Sequence, residues 1–316
     1  MGYAVAAGVL SFLLEVLLQD IWIRVQRKRR VTQLQKSYGV GIDVEVKAAT
    51  PMMGGVVFMV VALAACLVRR DSESLFFWSL PAGCGLIGFM DDRLKFVNRS
   101  SEGFSSLRKL AAQTVVALLW SLWAFYRKGL FLWPGLDCPP WAAVSLTVLA
   151  VIGMMNAVNI TDGLDGLAGG AFMISLVVLG NLAARPGFDF SFFAVLFGMI
   201  GGFLLCNVHP ALTFMGDTGS HFLGGALVAL AIQGGILLGL AAAGFIFGLE
   251  LLSSALQILA IRKFKKKIFR MAPLHHHFQL MGWDETTVTL RFLVCHALGS
   301  AFLAGLIVMA SNWLGK

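Results

Sequence analysis

The sequence predicts an all-α integral membrane protein with about ten transmembrane helices in one polytopic domain, residues 1–316. Three observations carry that prediction. Hydrophobic residues make up 58% of the chain and charged residues only 13%, with a mean hydropathy of +0.80, whereas soluble domains carry about 25% charged residues. The apolar runs are long and unbroken, as helices crossing a hydrocarbon core about 30 Å thick require, and lack the alternation of a barrel strand. Finally, the Lys and Arg residues gather in a few of the loops between these runs.

Taken in order, the candidate spans cover roughly 3–23, 51–68, 74–90, 109–127, 141–158, 167–184, 190–207, 219–235, 237–262 and 291–312. The first lacks a basic leader and ends in RVQRKRR without a small-residue cleavage site, so a retained span is expected rather than a signal peptide. Glu15 within it reads as a solvated or packing position. The eighth span is short and rich in glycine. The ninth is long and carries Glu250 near its middle, a mismatch that tilting or breaking the helix would relieve. Glu250 itself reads equally as a structural residue facing the interior or as part of a site.

Placing the segment after the first span in the cytoplasm puts 19 Lys/Arg inside, in the loops Arg24–Lys47, Arg93–Lys109 and Arg262–Arg291, and 6 outside. That bias sets both termini on the outer side. It accounts for the formal charge of +8 better than nucleic-acid binding does, and no nucleic-acid partner is expected. The five cysteines have no pair spacing and suit neither a disulfide framework nor a zinc site. No repeat of the kind found in solenoids or inverted-repeat transporters is visible.

The same topology brings four acidic or histidine-bearing loops to the cytoplasmic face. The stretch Asn156–Gly170, NAVNITDGLDGLAGG, holds Asp162 and Asp165, and no basic residue lies between Lys128 and Arg185 to pair with them locally. Carboxylates at the mouth of membrane-length segments are costly, so they mark a functional site. Asp91 and Asp92, in GFMDDRLKF, are adjacent and cannot point the same way from a helix, which predicts different jobs; a charged stop at a membrane edge is the plainer reading. Lys95, one turn on, pairs with Asp91 or neutralises a phosphate. Asp217, in FMGDTGSHF, sits where a helix N-cap would. Five carboxylates on one face offer hard oxygen ligands that suit Mg2+, and Mg2+ is usually held by one or two carboxylates plus substrate phosphates. A pyrophosphate-bearing substrate follows. His275, His276 and His277 form an internal run, a soft-metal tract on composition alone. The basic string RKFKKKIFR before it would attract anionic headgroups of membrane lipid.

ATPMMGG, GFMDDRLKF, NAVNITDGLDGLAGG, FMGDTGS and APLHHHF, in this order and on one face of ten spans, closely resemble the phospho-N-acetylmuramoyl-pentapeptide transferases, within the polyprenyl-phosphate N-acetylhexosamine-1-phosphate transferase superfamily. The likeness runs from about Lys47 to Trp283. It implies transfer of phospho-MurNAc-pentapeptide from UDP-MurNAc-pentapeptide to undecaprenyl phosphate, giving lipid I and UMP in peptidoglycan synthesis, with Mg2+ as cofactor, in a multi-pass protein of the bacterial plasma membrane that forms a homodimer. By position it implies catalytic roles for Asp91, Asp92, Asp217 and His275. Metal binding would fall to Asp217, with Asp165 or Asp92. Substrate contacts would fall to Lys47, Lys95, Lys109, Asn159, Asp162, Asn207, His276 and His277. The chain departs from the family pattern at Val44, where a histidine is usual, at Met52 in place of threonine, and at Gln279 in place of glutamate. Two other functions compete: transfer of GlcNAc-1-phosphate by the same chemistry, and a membrane transporter using intramembrane acids. Against the transporter, the acids gather at one face and not at the midplane.

Overall fold

In a computed structural model, residues 2–29, 50–98, 100, 102–136, 138–185 and 187–314 are described. Lys47 and Val44 lie outside them. Each of the ten predicted spans contains helix, and the described residues contain no strand; Trp133 and Leu136 form an isolated bridge.

Among the described residues the helices are α1 (Gly2–Arg29), α2 (Gly55–Arg69), α3 (Ser72–Asn98), α4 (Ser106–Lys128), α5 (Pro140–Thr161), α6 (Leu167–Leu182), α7 (Phe190–Asn207), α8 (Gly216–Gln233), α9 (Gly239–Ala243), α10 (Phe245–Phe264), α11 (Leu274–Gln279) and α12 (Glu285–Leu314). Local chemistry sets many of these limits. Asp71 accepts the Ser74 N–H at 2.6 Å ahead of α3, and Asp189 caps α7 by accepting the Ser191 N–H at 2.9 Å. Pro140 occupies the first position of α5, where its missing N–H costs nothing.

Among the described residues, seven helices, α1, α3, α4, α5, α7, α10 and α12, are long and apolar enough to cross a membrane. The other predicted spans are α2 with 15 residues, α6 with 16 and α8 with 18. At 1.5 Å per residue α2 and α6 reach only about 22–24 Å, short of a full hydrocarbon core. In α8 every residue from Thr218 to Ile232 is buried. It is the central post of the bundle, packed against α2, α3, α5 and α6, and a helix surrounded by protein tolerates the polar start Gly-Asp-Thr-Gly-Ser.

The long ninth span does break, at Gly244 between α9 and α10. The groups freed there find partners: Ser175 Oγ donates to Ala243 O, and the Ile246 N–H donates to His296 Nδ1 at 3.3 Å. Irregular backbone inside a membrane protein persists only with such internal satisfaction. Glu15, expected as a solvated or packing residue, is fully buried.

Candidate active site

Two clusters of polar residues meet at the C-terminal end of α5. The first is built on the last turns of α3. Asp91 and Asp92 point apart. Asp91 accepts the Phe104 N–H at 2.8 Å through Oδ1 and pairs with Lys95 Nζ at 2.7 Å through Oδ2. Asp92 turns to the start of α8, where Oδ1 accepts the Asp217 N–H at 3.1 Å and Oδ2 accepts the Thr218 N–H at 2.9 Å and the Thr218 hydroxyl at 2.7 Å. It supplies acceptors that an isolated helix N-terminus lacks. The approach is this close because residue 88 is glycine: a Cβ there would lie 2.1 Å from Asp217 O.

Asp217 is the hub. Its Oδ2 pairs with Lys109 and, at 3.0 Å, with Lys95, while Oδ1 accepts from Asn159 Nδ2 at 2.9 Å. Asn159 also donates to Ser220 Oγ at 2.9 Å. Burial works to raise the pKa of the Asp217 carboxyl, but Lys109 and Lys95 outweigh it and hold it well below the usual carboxylate range. Side-chain exposure orders the group from front to back. Lys95, Lys109 and Asp217 are 21%, 18% and 14% exposed, against 3% and 1% for Asp91 and Asp92. An incoming molecule therefore meets the lysines and Asp217, with the aspartate pair behind.

The second cluster forms around the loop after α5. Asp162 ends the helix, half-buried. Asp165 Oδ2 accepts the Ala211 N–H at 3.0 Å and meets His209 Nδ1 at 3.0 Å, and the Asp165 N–H donates to Glu285 Oε1 at 2.7 Å. Among the described residues, Asp165, His209 and Glu285 are the three metal-capable side chains with donor atoms all within 4.8 Å of one another. Asn207 straps the same loop, accepting the Gly166 N–H at 3.2 Å and donating to Thr213 O at 3.0 Å.

The histidine run divides. His275 is buried; its N–H donates to Glu250 Oε1 at 3.2 Å and its Nδ1 lies 3.3 Å from Glu250 Oε2. Its ring lies directly on the loop after α5, where a Cβ at Gly163 would be 2.4 Å from Nε2. His276 Nδ1 pairs with Gln279 Oε1 at 2.8 Å, and His277 Nδ1 accepts the Arg270 N–H at 3.1 Å.

Residues 74–235 match the model of glycosyl transferase family 4. The phospho-N-acetylmuramoyl-pentapeptide-transferase of Bacillus pumilus is 36% identical over 321 residues, 97% of each chain. That of Pelotomaculum thermopropionicum is 37% identical over 325 residues, 97% of this chain and 99% of its own, and that of Bacillus subtilis is 35% identical over 319 residues, 97% of each. The chain belongs to the phospho-N-acetylmuramoyl-pentapeptide transferase family.

In this transferase the structure gathers Asp91, Asp92, Lys95, Lys109, Asn159 and Asp217, and sets Asp165, Asn207 and His275 in the second cluster. It divides the metal set named from sequence, since Asp165 stands with His209 and Glu285 and Asp92 is engaged by the start of α8. Sequence reasoning passed over His209, Glu285, Thr218 and the buried network in which Gln113 Nε2 lies 3.2 Å from His221 Nε2 and Asn156 donates to Gln113 Oε1 at 2.9 Å. Only Glu285 carried a local signal, an acid in the first turn of a helix. Glu250, which reads from sequence as structural or as part of a site, is buried against His275. Of the departures, the Met52 carbonyl accepts from Trp22 Nε1 at 3.1 Å, and Gln279 takes up His276.

Proposed function

We propose that the protein transfers phospho-MurNAc-pentapeptide from UDP-MurNAc-pentapeptide to undecaprenyl phosphate, releasing UMP and forming lipid I. In this reading ten segments cross the bacterial plasma membrane, both termini lie outside and the two clusters face the cytoplasm. The observation that carries the proposal is the pairing of Lys95 and Lys109 with Asp217 at the buried N-terminus of α8, in a chain that matches the transferases along its whole length.

The residues present fit Mg2+. Three carboxylates face two ammonium groups, and Lys95 already lies between Asp91 and Asp217 at 2.7 and 3.0 Å, so a cation is favoured between them. All the donors are hard oxygens. Asp217 is the most exposed of the three and would hold the ion, with water and donor phosphates completing its shell. Asp92 and Asp165 would shape that site from behind, through the α8 backbone and the loop after α5. When bound, Mg2+ would supply charge neutralisation on the pyrophosphate.

The chain's own groups perform the rest. Lys95 and Lys109, released from Asp217, would take the oxygens of the transferred phosphoryl group, where phosphoryl transfer mainly needs positioning and charge stabilisation. A lipid-phosphate oxygen attacks the sugar-linked phosphorus, the pyrophosphate bond breaks, and the leaving oxygen departs on UMP. The second ionisation of a phosphate monoester lies near pH 6, so the nucleophile is already largely ionised and direct transfer needs no strong base. Any remaining proton goes to Asp91, because Asp92 is committed to α8. Glu250 holds His275 against the loop that carries Asp162, which would border the bound donor.

UMP release from UDP-MurNAc-pentapeptide in detergent tests the reading, with undecaprenyl phosphate and Mg2+ each present or withheld. Release that requires both is expected. Release with UDP-GlcNAc but not with UDP-MurNAc-pentapeptide would reassign the donor, and a phosphosugar trapped on the protein without lipid would overturn direct transfer.

A further inference from the structure

The transfer chemistry leaves unused a polar stripe inside the first apolar helix. Glu15, Gln19 and Trp22 share one face of α1 at spacings of four and three residues. Glu15 and Gln19 are fully buried, where a leucine would fill the space without the cost of burying polar groups. Their bonds show what they hold. Gln19 Nε2 donates to Glu15 Oε1 at 2.8 Å and to Gly54 O at 2.9 Å, and Trp22 Nε1 donates to Met52 O at 3.1 Å. Gly54 O can only accept, so the amide nitrogen must face it, and Glu15 is the acceptor that fixes the second amide hydrogen.

The two captured carbonyls flank Met53, whose φ of 64° lies in the left-handed region that a methionine rarely adopts. The turn around it is cross-bonded to residues 213–215. Phe214 N–H donates to Pro51 O at 2.9 Å, Gly54 N–H to Phe214 O at 2.8 Å, Gly55 N–H to Met215 O at 3.0 Å, and Thr213 Oγ1 to Pro51 O at 3.3 Å. Gly216 and Asp217 follow at once. Residue 55 is also pressed on α8 so tightly that a Cβ there would lie 2.1 Å from Gly219 N. A continuous path of hydrogen bonds thus runs from α1, through a strained turn, to the helix terminus that carries Asp217.

We infer that Glu15, Gln19 and Trp22 form a positioning clamp that sets the Pro51–Gly55 turn and, through it, the placement of Asp217 against Lys95 and Lys109. None of the three touches the reacting groups. The inference rests on the proposed role of Asp217 in transfer, and its test separates the two.

Full-length protein in detergent is compared as wild type, Gln19→Leu, Trp22→Phe and Glu15→Gln, by hydrogen–deuterium exchange and by UMP-release kinetics per folded enzyme. Loss of the clamp is expected to speed exchange in peptides covering 50–57 and 213–219, which hold the Gly54, Gly55 and Phe214 amides. It should lower kcat about tenfold with the donor KM unchanged, since small misplacements cost rate. Glu15→Gln keeps an acceptor and should behave as wild type. Unchanged exchange at the turn in both donor-removing variants, or faster exchange spread along α1 and α7 with wild-type kcat, overturns the clamp. If Gln19→Leu does not fold, Trp22→Phe decides alone. If wild type releases no UMP, the proposed function fails and the exchange pattern still decides the clamp.

Discussion

Gly163→Ala is the sharpest test of how His275 is held on the loop after α5. The added Cβ would lie 2.4 Å from His275 Nε2 and 2.9 Å from its Cε1, and contacts below about 3.0 Å do not persist. The ring must therefore withdraw by roughly 0.6 Å or more. It has little room to do so, because its backbone N–H and Nδ1 both face the buried Glu250 carboxylate. Either the loop moves away from His275 or the histidine leaves Glu250, and in both cases Asp162 and His275 no longer share their present spacing. A misplacement approaching 1 Å costs up to about 100-fold in rate, and overpacking of this size costs about 1–3 kcal/mol of stability. The expected result is a fall in kcat of about 10- to 100-fold in the UMP-release assay, with a folded protein by thermal unfolding in detergent. Combining the change with His275→Ala should add little further loss, since both act through the same ring. Wild-type kcat in Gly163→Ala would refute the coupling, and so would two losses that simply multiply.

The remaining predictions concern the ends of helices and the metal. Asp92→Asn weakens the acceptor for three hydrogen bonds at the start of α8 and removes a negative charge from a helix N-terminus, so it should cost about 1–3 kcal/mol in unfolding and lower kcat together. EDTA should abolish UMP release, Mg2+ should restore it, and Asp217→Asn should prevent the restoration while folding is retained; metal-independent release would count against the proposed cofactor. At the start of α7, burial works to raise the pKa of the Asp189 carboxyl, but hydrogen bonds from Ser191 and Arg69 outweigh it and hold it below the usual range. That contribution is present above the unfolded value near 3.9 and is lost as pH falls through the lower folded value. Asp189→Asn keeps a capping side chain, so at pH 7 it should cost only about 0.5–1 kcal/mol, discounted for solvent screening of a partly exposed pair. The difference from wild type should narrow as thermal unfolding is followed below the unfolded value near 3.9.

Much of this is legible in the amino-acid sequence. Hydropathy located the helices because burying twenty apolar residues leaves a membrane span little freedom, whereas the length of 237–262 was met equally by tilting or breaking, and only the structure shows the break at Gly244. The divergence of Asp91 and Asp92 follows from helix geometry alone. Glu15 shows the opposite case. A lone glutamate near a helix middle reads the same whether it faces lipid headgroups or protein, and only the neighbouring Gln19 and the turn at Gly54, 35 residues from Gln19, tell them apart.

The amino-acid sequence by itself determined the fold class, the family and the groups that sit in motifs, because these depend on composition, periodicity and patterns that are local along the chain; His209 and Glu285, which sit in none, it did not. Tertiary structure decided which of those groups meet. Asp165 stands with His209 and Glu285 and apart from Asp217, Asp92 serves the start of α8, and His275 lies on Gly163 with Glu250 behind it. Each of these pairings joins residues tens to more than a hundred positions apart, held by a bond of about 3 Å or by a space too small for a methyl group. No local pattern encodes such distances; the packing of α8 among its neighbours sets them.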